Sequence, residues 1–364
     1  MSQPSKSHRV TRRRALSGLS AASAVSLLGG CGDAGFGVGD ALSGGGSDGP
    51  QKSALLLPLS GASAELGQTL RTAATLGGGP GIGIDIIDSG STPETAVATA
   101  KRAVDAGAKM IVGPVFSAQA TAVGNAVRIP VVTLSNNEAL AGGGVFVFGV
   151  TPAQSAQAIL SITAQRNLRD VAVVVPAGAF GAQSAAAAEK VGSALGLSMR
   201  PAVVGVGADG LLAALNKGGK LPDAVYLPVV DASLAPSAEA LRGKGVQLLG
   251  STQWSTLDLS GRRAFRDAWF AAPDPLRFAA FDDAFSTASG KKGGIISGLA
   301  FDAVELLRVL GQLRLLSTKG LTRKEGFTGV VGPYRFQKSG LCERGLGVLK
   351  VGAGDFSLIG STSV

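Results

Sequence analysis

Ser53-Ala54-Leu55-Leu56-Leu57-Pro58-Leu59-Ser60-Gly61 is the stretch on which the fold turns. Four successive apolar residues, Ala54 to Leu57, read as a strand buried on both faces, since a half-exposed strand would alternate with polar residues. Pro58 to Gly61 supply turn chemistry, and Ala64 to Leu76 read as a helix. Strand, loop and helix in that order form the first half of a β-α unit.

The pattern repeats outward from there. Ile82–Ile87 reads as a strand. Thr92-Pro93-Glu94 opens a helix with a Thr cap, Pro at the first helical position and an acid in the first turn. Strands are expected at Met110–Val112 and Val131–Thr133, with a helix at Ala118–Val127 between them. A second series begins near Thr151. It has strands at Val171–Val175, Ala202–Val204, Ala224–Leu227 and Gln247–Gly250, and helices at Ala156–Gln165, Gly181–Leu195, Leu211–Leu215 and Ala235–Gly243. Alternation of this kind implies parallel sheets with right-handed crossovers, and two series imply two lobes. After Pro273 come two long helices, Pro275–Ala288 and Ser297–Leu313. Antiparallel strands are then expected at Val330-Val331, Tyr334–Phe336, Gly347–Val351 and Phe356–Leu358.

Composition narrows the function. Hydrophobic residues are 45% of the 364 and charged ones 16%, the opposite of a disordered chain. The net charge of +9 is concentrated at the front. Residues 1–30 hold Lys6, Arg9, Arg12, Arg13 and Arg14, and removing those five of 34 bases leaves 29 against 25 acids. The remaining bases are scattered, so no nucleic-acid groove is expected. The only histidine is His8, so the chain beyond it cannot build a Ser-His-Asp or Cys-His site, or a His-ligated metal site. No GxxxxGK[ST] occurs, and the glycines at 77–83 lack the strand-then-helix context of a dinucleotide turn. Neither a cofactor nor a metal is expected, nor is an enzyme.

The first fifty residues read as an address and a tether. A basic stretch, residues 1–14, precedes the short apolar run ALSGLSAASAVSLLGG at 15–30, the layout of a signal peptide at 1–30. Thr11-Arg12-Arg13-Arg14-Ala15-Leu16 resembles a twin-arginine export signal with Ala15 where an aromatic is usual. Leu28-Gly29-Gly30-Cys31 resembles the bacterial lipobox, which implies that Cys31 is lipidated and the protein is held on a membrane face in the periplasm. Gly32 supplies no acidic retention residue, so inner and outer membranes both stay open. With Cys31 acylated, Cys342 has no disulfide partner and is expected as a lone thiol. Residues 32–51 carry eight glycines and form a coil about 25 Å across. Gly45-Gly46-Ser47-Asp48-Gly49 matches a hydrolase nucleophile pattern there, but without strand, helix or base around it.

The phrases LLLPLSG (55–61), AVDAGAKMIVGPVFSA (103–118), IPVVTLSN (129–136), VFVFGVTPA (145–153), VAVVVP (171–176) and GLAFDAVELLRVL (298–310) resemble the type I periplasmic ligand-binding proteins of the Leu/Ile/Val-binding kind. GSTQWS (250–255), WFAAPDP (269–275) and GFTGVVGPYRFQKSGLCERGLGVLKV (326–351) resemble the penicillin-binding protein activator subgroup of lipoproteins. The resemblance spans residues 53–360. It implies an α/β fold of two lobes, each a mainly parallel sheet flanked by helices, hinged by three crossings. Lobe one would hold 52–151 and 274–328, and lobe two 152–273 and 329–364. Two functions follow from it. One is a receptor for a small-molecule ligand, serving an ABC permease that imports branched-chain amino acids or related solutes. The other is a module that docks on a peptidoglycan synthase.

A ligand would lie between the lobes, at the carboxyl ends of the strands. The positions there are Ser60 and Gly61, Ser117 and Ala118, Ser135 and Asn136 in lobe one, and Phe180, Asp231, Gln253 and Trp254 in lobe two. Ser and Asn after strands are equally expected as helix caps, and Phe180 and Trp254 as packing. Amino-acid-binding relatives hold the ammonium with carboxylates and often a tyrosine. The comparable stretches here read Ala153-Gln154-Ser155, Phe180 and Gln253, which disfavours free amino acids unless Asp231 reaches in.

Overall fold

Strand β1 (Ser53–Leu57) is buried along its whole length, as its unbroken apolar run requires. It lies inside a five-stranded parallel sheet with β2 (Ile84–Asp88), β3 (Ile111–Val112), β4 (Val131–Thr133) and β5 (Val145–Val147), in the order β2-β1-β3-β4-β5. The computed structural model describes residues 51–78 and 83–364. The signal segment, Cys31 and all but the last residue of the glycine-rich tether lie outside the described residues, as do positions 79–82. Helices α1 (Ala64–Leu76), α2 (Pro93–Asp105) and α3 (Ser117–Ala126) make the crossovers. The Thr92 cap forms as its sequence predicts: its hydroxyl accepts from Thr95 N, with Pro93 in the first turn. Of the strand expected at 82–87, Ile82 lies outside the described residues and β2 covers Ile84–Asp88; β5 was not anticipated as a strand.

Helix α4 (Pro152–Gln165) opens the second series on another Thr-Pro cap, Thr151. It continues through β6 (Asp170–Val175), α5 (Ala179–Ala194), β7 (Ser198–Met199), β8 (Val203–Val204), α6 (Ala208–Leu215), β9 (Ala224–Leu227), α7 (Leu234–Leu241), β10 (Gln247–Gly250) and β11 (Trp269–Ala272). The chain then returns to the first lobe with α8 (Pro275–Ser289), α9 (Ile295–Gln312) and α10 (Thr318–Leu321). Leu299, Ala300, Ala303, Val304, Leu307 and Leu310 form the helical stripe by which α9 joins Leu55, Leu57, Leu70 and Ala73 in one core. It ends with β12 (Tyr334–Phe336), β13 (Cys342–Arg344), β14 (Gly347–Val351) and β15 (Phe356–Ser361).

The second sheet runs β15-β14-β11-β10-β9-β6-β7, with β8 also on β6. It is parallel from β7 to β11, and β14 and β15 add antiparallel at one edge. Trp269–Ala272 was read only as a phrase, yet as β11 it receives β14.

The tail differs most from expectation. Val330-Val331 is not a strand. The hairpin β12–β13 belongs to the first lobe, and the chain joins the second sheet only at Gly347, later than the expected 329. Aromatic packing draws it there. Tyr334 and Phe336 contact Phe148 at ring distances of 4.8 and 5.6 Å, and Phe336 meets Phe146 edge-on at 5.8 Å. The backbone therefore crosses between lobes at 148–151, 273–274 and 345–346.

Candidate functional site

In the first sheet the strand order reverses between β1 and β3, and such a switch point opens a crevice at the carboxyl ends of those strands. Ser60 and Gly61 follow β1 and are exposed. Gly61 has φ +74°, and a Cβ there would stand 3.1 Å from the Ser91 side chain. Asp88, at the end of β2, accepts from Leu59 N and Gly90 N, each at 2.9 Å. Burial pushes its carboxyl up, but the Ser60 hydroxyl and the Gly90, Leu59 and Ser60 amides outweigh this and hold it below the usual range.

Ser117 and Ala118 stand on the first turn of α3, where backbone N–H groups lack helical partners. A run of hydroxyls braces this turn. Thr133 Oγ1 donates to Pro114 O at 2.7 Å and accepts from Ser135 N. Ser135 Oγ and Ser117 Oγ are 3.0 Å apart, and Asn137 N donates to Ser135 Oγ at 3.2 Å. Buried Gln119 donates to Gly90 O and Thr92 O, while its Oε1 has no partner. Thr133, Gln119 and Asp88 were not anticipated. Thr133 and Asp88 could have been signalled only by their place at the ends of β4 and β2, and Gln119 only by its place in the first turn of α3.

In the second sheet the order reverses between β6 and β9. Phe180 is half-buried on the first turn of α5, and a side chain at Gly181 would run into the Pro176 carbonyl. Asp231 is exposed, and its Oδ1 accepts from Ser233 N at 2.9 Å and Ser233 Oγ at 2.6 Å, a local turn cap. It lines a cavity of about 170 Å³ with Pro176, Gly207 and Val229. Gln253 Oε1 accepts from Val230 N at 2.9 Å and so fixes the loop after β9. Trp254 corrects the expectation of a ligand contact. It is 0% exposed, donates from Nε1 to Leu227 O at 2.9 Å and packs edge-on against Phe265 at 5.1 Å. Its large apolar ring lies in the core because that burial is worth more than a place at the surface.

A larger cavity, about 710 Å³, lies between the lobes beside the hinge. Asn136, Asn137 and Glu138 line it from lobe one; Gln157, Gln183 and Lys190 line it from lobe two. Of the ten expected ligand positions, Asn136 alone borders it. The hinge behind it is pinned by side chains. Gln154 accepts from Thr151 N and donates to Cys342 O, which ties the first crossing to β13. Arg344 donates from Nη2 to Phe148 O at 2.9 Å, with its guanidinium 4.7 and 5.1 Å from the Phe148 and Tyr334 ring centres. Nearby Asp302 accepts from Val330 N at 2.7 Å and Val331 N at 3.1 Å. Burial raises its carboxyl to about 6, against the opposing pull of Arg344 and those amides. Burial likewise drives the Cys342 thiol to about 11, far from the thiolate a nucleophile needs. Among the described residues no three His, Cys, Asp or Glu side chains gather as metal ligands.

A sequence profile described as periplasmic binding protein matches residues 50–313. No curated protein matches the chain significantly. Solved structures share the fold. A putative branched-chain amino acid ABC transporter protein from Rhodospirillum rubrum aligns over 85% of this chain and 100% of its own, at 22% identity and TM-score 0.73. The C-domain of LpoA from Haemophilus influenzae, described as a regulator of PBP1A, aligns over 85% and 100%, at 17% identity and TM-score 0.69. An R. palustris ABC-transporter solute binding protein in complex with benzoate aligns over 86% and 96%, at 18% identity and TM-score 0.60.

Proposed function

The chain belongs to the periplasmic binding protein family, and from that premise we propose that it is a non-catalytic receptor that closes its two lobes on a small solute. The supporting observation is the cavity of about 710 Å³ that both lobes line, within the range of about 300–1,000 Å³ typical of small-molecule sites. The switch points add Ser60, Gly61, Ser117, Ala118 and Ser135 on one lobe and Phe180, Asp231 and Gln253 on the other. Closure about three short crossings brings such sets together. The side-chain inventory supports a binding role over an enzymatic one: past His8 there is no imidazole, and the thiol at 342 is buried.

Family membership implies export to the periplasm. The sequence adds a lipid on Cys31, which would hold the receptor beside a membrane permease of the ABC type. No helix among the described residues is long and apolar enough to cross a membrane.

A second reading rests on β15. Among the described residues this strand pairs only with β14, and Phe356 and Leu358 are exposed along it. An open strand edge with apolar side chains is a template for docking. The partner on this reading is a peptidoglycan synthase, in line with the regulator of PBP1A that shares the fold.

A thermal-shift screen of the purified protein against amino acids, short peptides, sugars and aromatic acids tests the receptor reading. A ligand at 100 times its Kd stabilises by about 2.7 kcal/mol, a rise of several degrees in Tm. Uniform silence, together with a synthase retained by the wild type and released by Phe356→Lys, would replace it with the docking reading.

A further inference from the structure

The interlobe cavity carries a pattern of charges and amides that a generic solute does not need. Asn136, Asn137 and Glu138 follow β4 on one wall, and Gln157, Gln183 and Lys190 stand on α4 and α5 on the other. Gln183 and Lys190 are two helical turns apart, so they share one face of α5. The amides are largely uncommitted. Among the described residues the Asn136 and Gln183 side chains make no hydrogen bond. Asn137 uses only its Oδ1, which caps Ala139 N at 3.1 Å, and Gln157 only its Nε2, which donates to Ser161 Oγ at 3.0 Å. Neither Glu138 nor Lys190 has an ion-pair partner there, whereas Arg335 and Glu343 on the hairpin satisfy each other. None of the lining residues is aromatic.

We propose that this cavity takes a short zwitterionic peptide, an assignment that rests on the solute-receptor reading and gives it a ligand class. Glu138 receives the peptide's ammonium and Lys190 its carboxylate, from opposite lobes. Asn136, Asn137, Gln157 and Gln183 bond its amide groups, since a carboxamide offers the same donor and acceptor that a peptide group does. A sugar would leave Glu138 and Lys190 unanswered, and an aromatic acid would find no aromatic side chain to stack on and would leave Glu138 unanswered. Holding both termini also draws the lobes together.

Isothermal titration of the full protein with four probes tests this: trialanine, N-acetyl-trialanine amide, benzoate and glucose. Trialanine is expected to bind. The blocked peptide, which keeps the amides and loses both charges, is expected to bind at least tenfold more weakly. Glu138→Gln and Lys190→Gln should each weaken trialanine by roughly ten- to a hundredfold, the worth of one charge-assisted bond. Glu138 is half-buried, Lys190 is exposed and both are unpaired, so both variants should unfold at the wild-type midpoint, which circular dichroism checks. Equal affinity for the blocked peptide, or unchanged trialanine binding in both variants, overturns the proposal. Binding of benzoate or glucose with trialanine silent overturns the peptide class and leaves the receptor reading intact. Silence to all four overturns the peptide class, while the receptor reading answers to the wider screen and to lobe closure.

Discussion

Asp302→Asn isolates a carboxyl that folding has moved far from its usual range. In the folded protein burial raises it to about 6, and in the unfolded chain it ionises at about 3.9. A raised carboxyl favours the folded state when protonated. Its stabilisation is therefore complete below about pH 4, fades as pH rises through about 6, and is gone above that. The difference between the two values corresponds to about 3 kcal/mol. The groups around it set the sign. Arg344 and the amides of Val330 and Val331 favour the charged form, Glu305 opposes it, and burial outweighs the favourable set. Asparagine cannot titrate, and it keeps one acceptor for the two amides. Urea unfolding of both proteins at pH 4 and pH 7.5, followed by circular dichroism, gives the wild-type minus variant difference at each pH. That difference should move against the wild type by about 2.4 kcal/mol between pH 4 and pH 7.5, since the unfolded carboxyl is still about half protonated at pH 4, while the constant cost of the lost acceptor cancels. A difference that stays level, or moves the other way, would mean that Arg344 holds Asp302 ionised as a buried pair, and would refute the reasoning.

Other outcomes follow from burial elsewhere. Trp254→Ala should cost about 3–5 kcal/mol by denaturant unfolding, because it empties a core position and orphans the Leu227 carbonyl. A near-neutral effect coupled to lost ligand binding would return Trp254 to the site. In the folded protein Cys342 should react with iodoacetamide at pH 8 at least roughly a hundredfold more slowly than in urea, since its thiol is buried and driven to about 11. Mass spectrometry of the alkylated peptide reads that ratio. Cys31→Ser should leave the protein in the soluble fraction after cell lysis, where the wild type sediments with membranes. Equal partition would remove the lipid tether.

The sequence carried the parallel sheets in the runs of Ala, Val and Leu, and one helix start in the Thr92-Pro93 cap; the same cap at Thr151-Pro152 escaped, and α4 was expected only from Ala156. Strands β5 and β11 escaped because three or four apolar residues beside a Pro-bearing turn do not distinguish a strand from a loop packed on the core. The hairpin's allegiance escaped for another reason. Tyr334 and Phe336 choose the first lobe through Phe146 and Phe148, nearly two hundred residues away, and no local pattern encodes that contact. At the site, the strand-end rule found Ser117 and Ser135, which the fold does bring within bonding distance. The same rule promoted Trp254, whose position after β10 fits a ligand contact as well as it fits the core plug it is. Most of the interlobe cavity escaped because its lobe-two wall includes the middle of α5. In an alanine-rich helix, Gln183 and Lys190 read only as solvated surface.

Small-angle X-ray scattering tests the central claim most directly, by comparing the protein alone with the protein saturated by the ligand that gives the largest thermal shift. Closure of two lobes on a ligand between them predicts a smaller radius of gyration in the saturated sample. An unchanged radius at saturation would contradict it, and would place that ligand, and the function, outside the cleft.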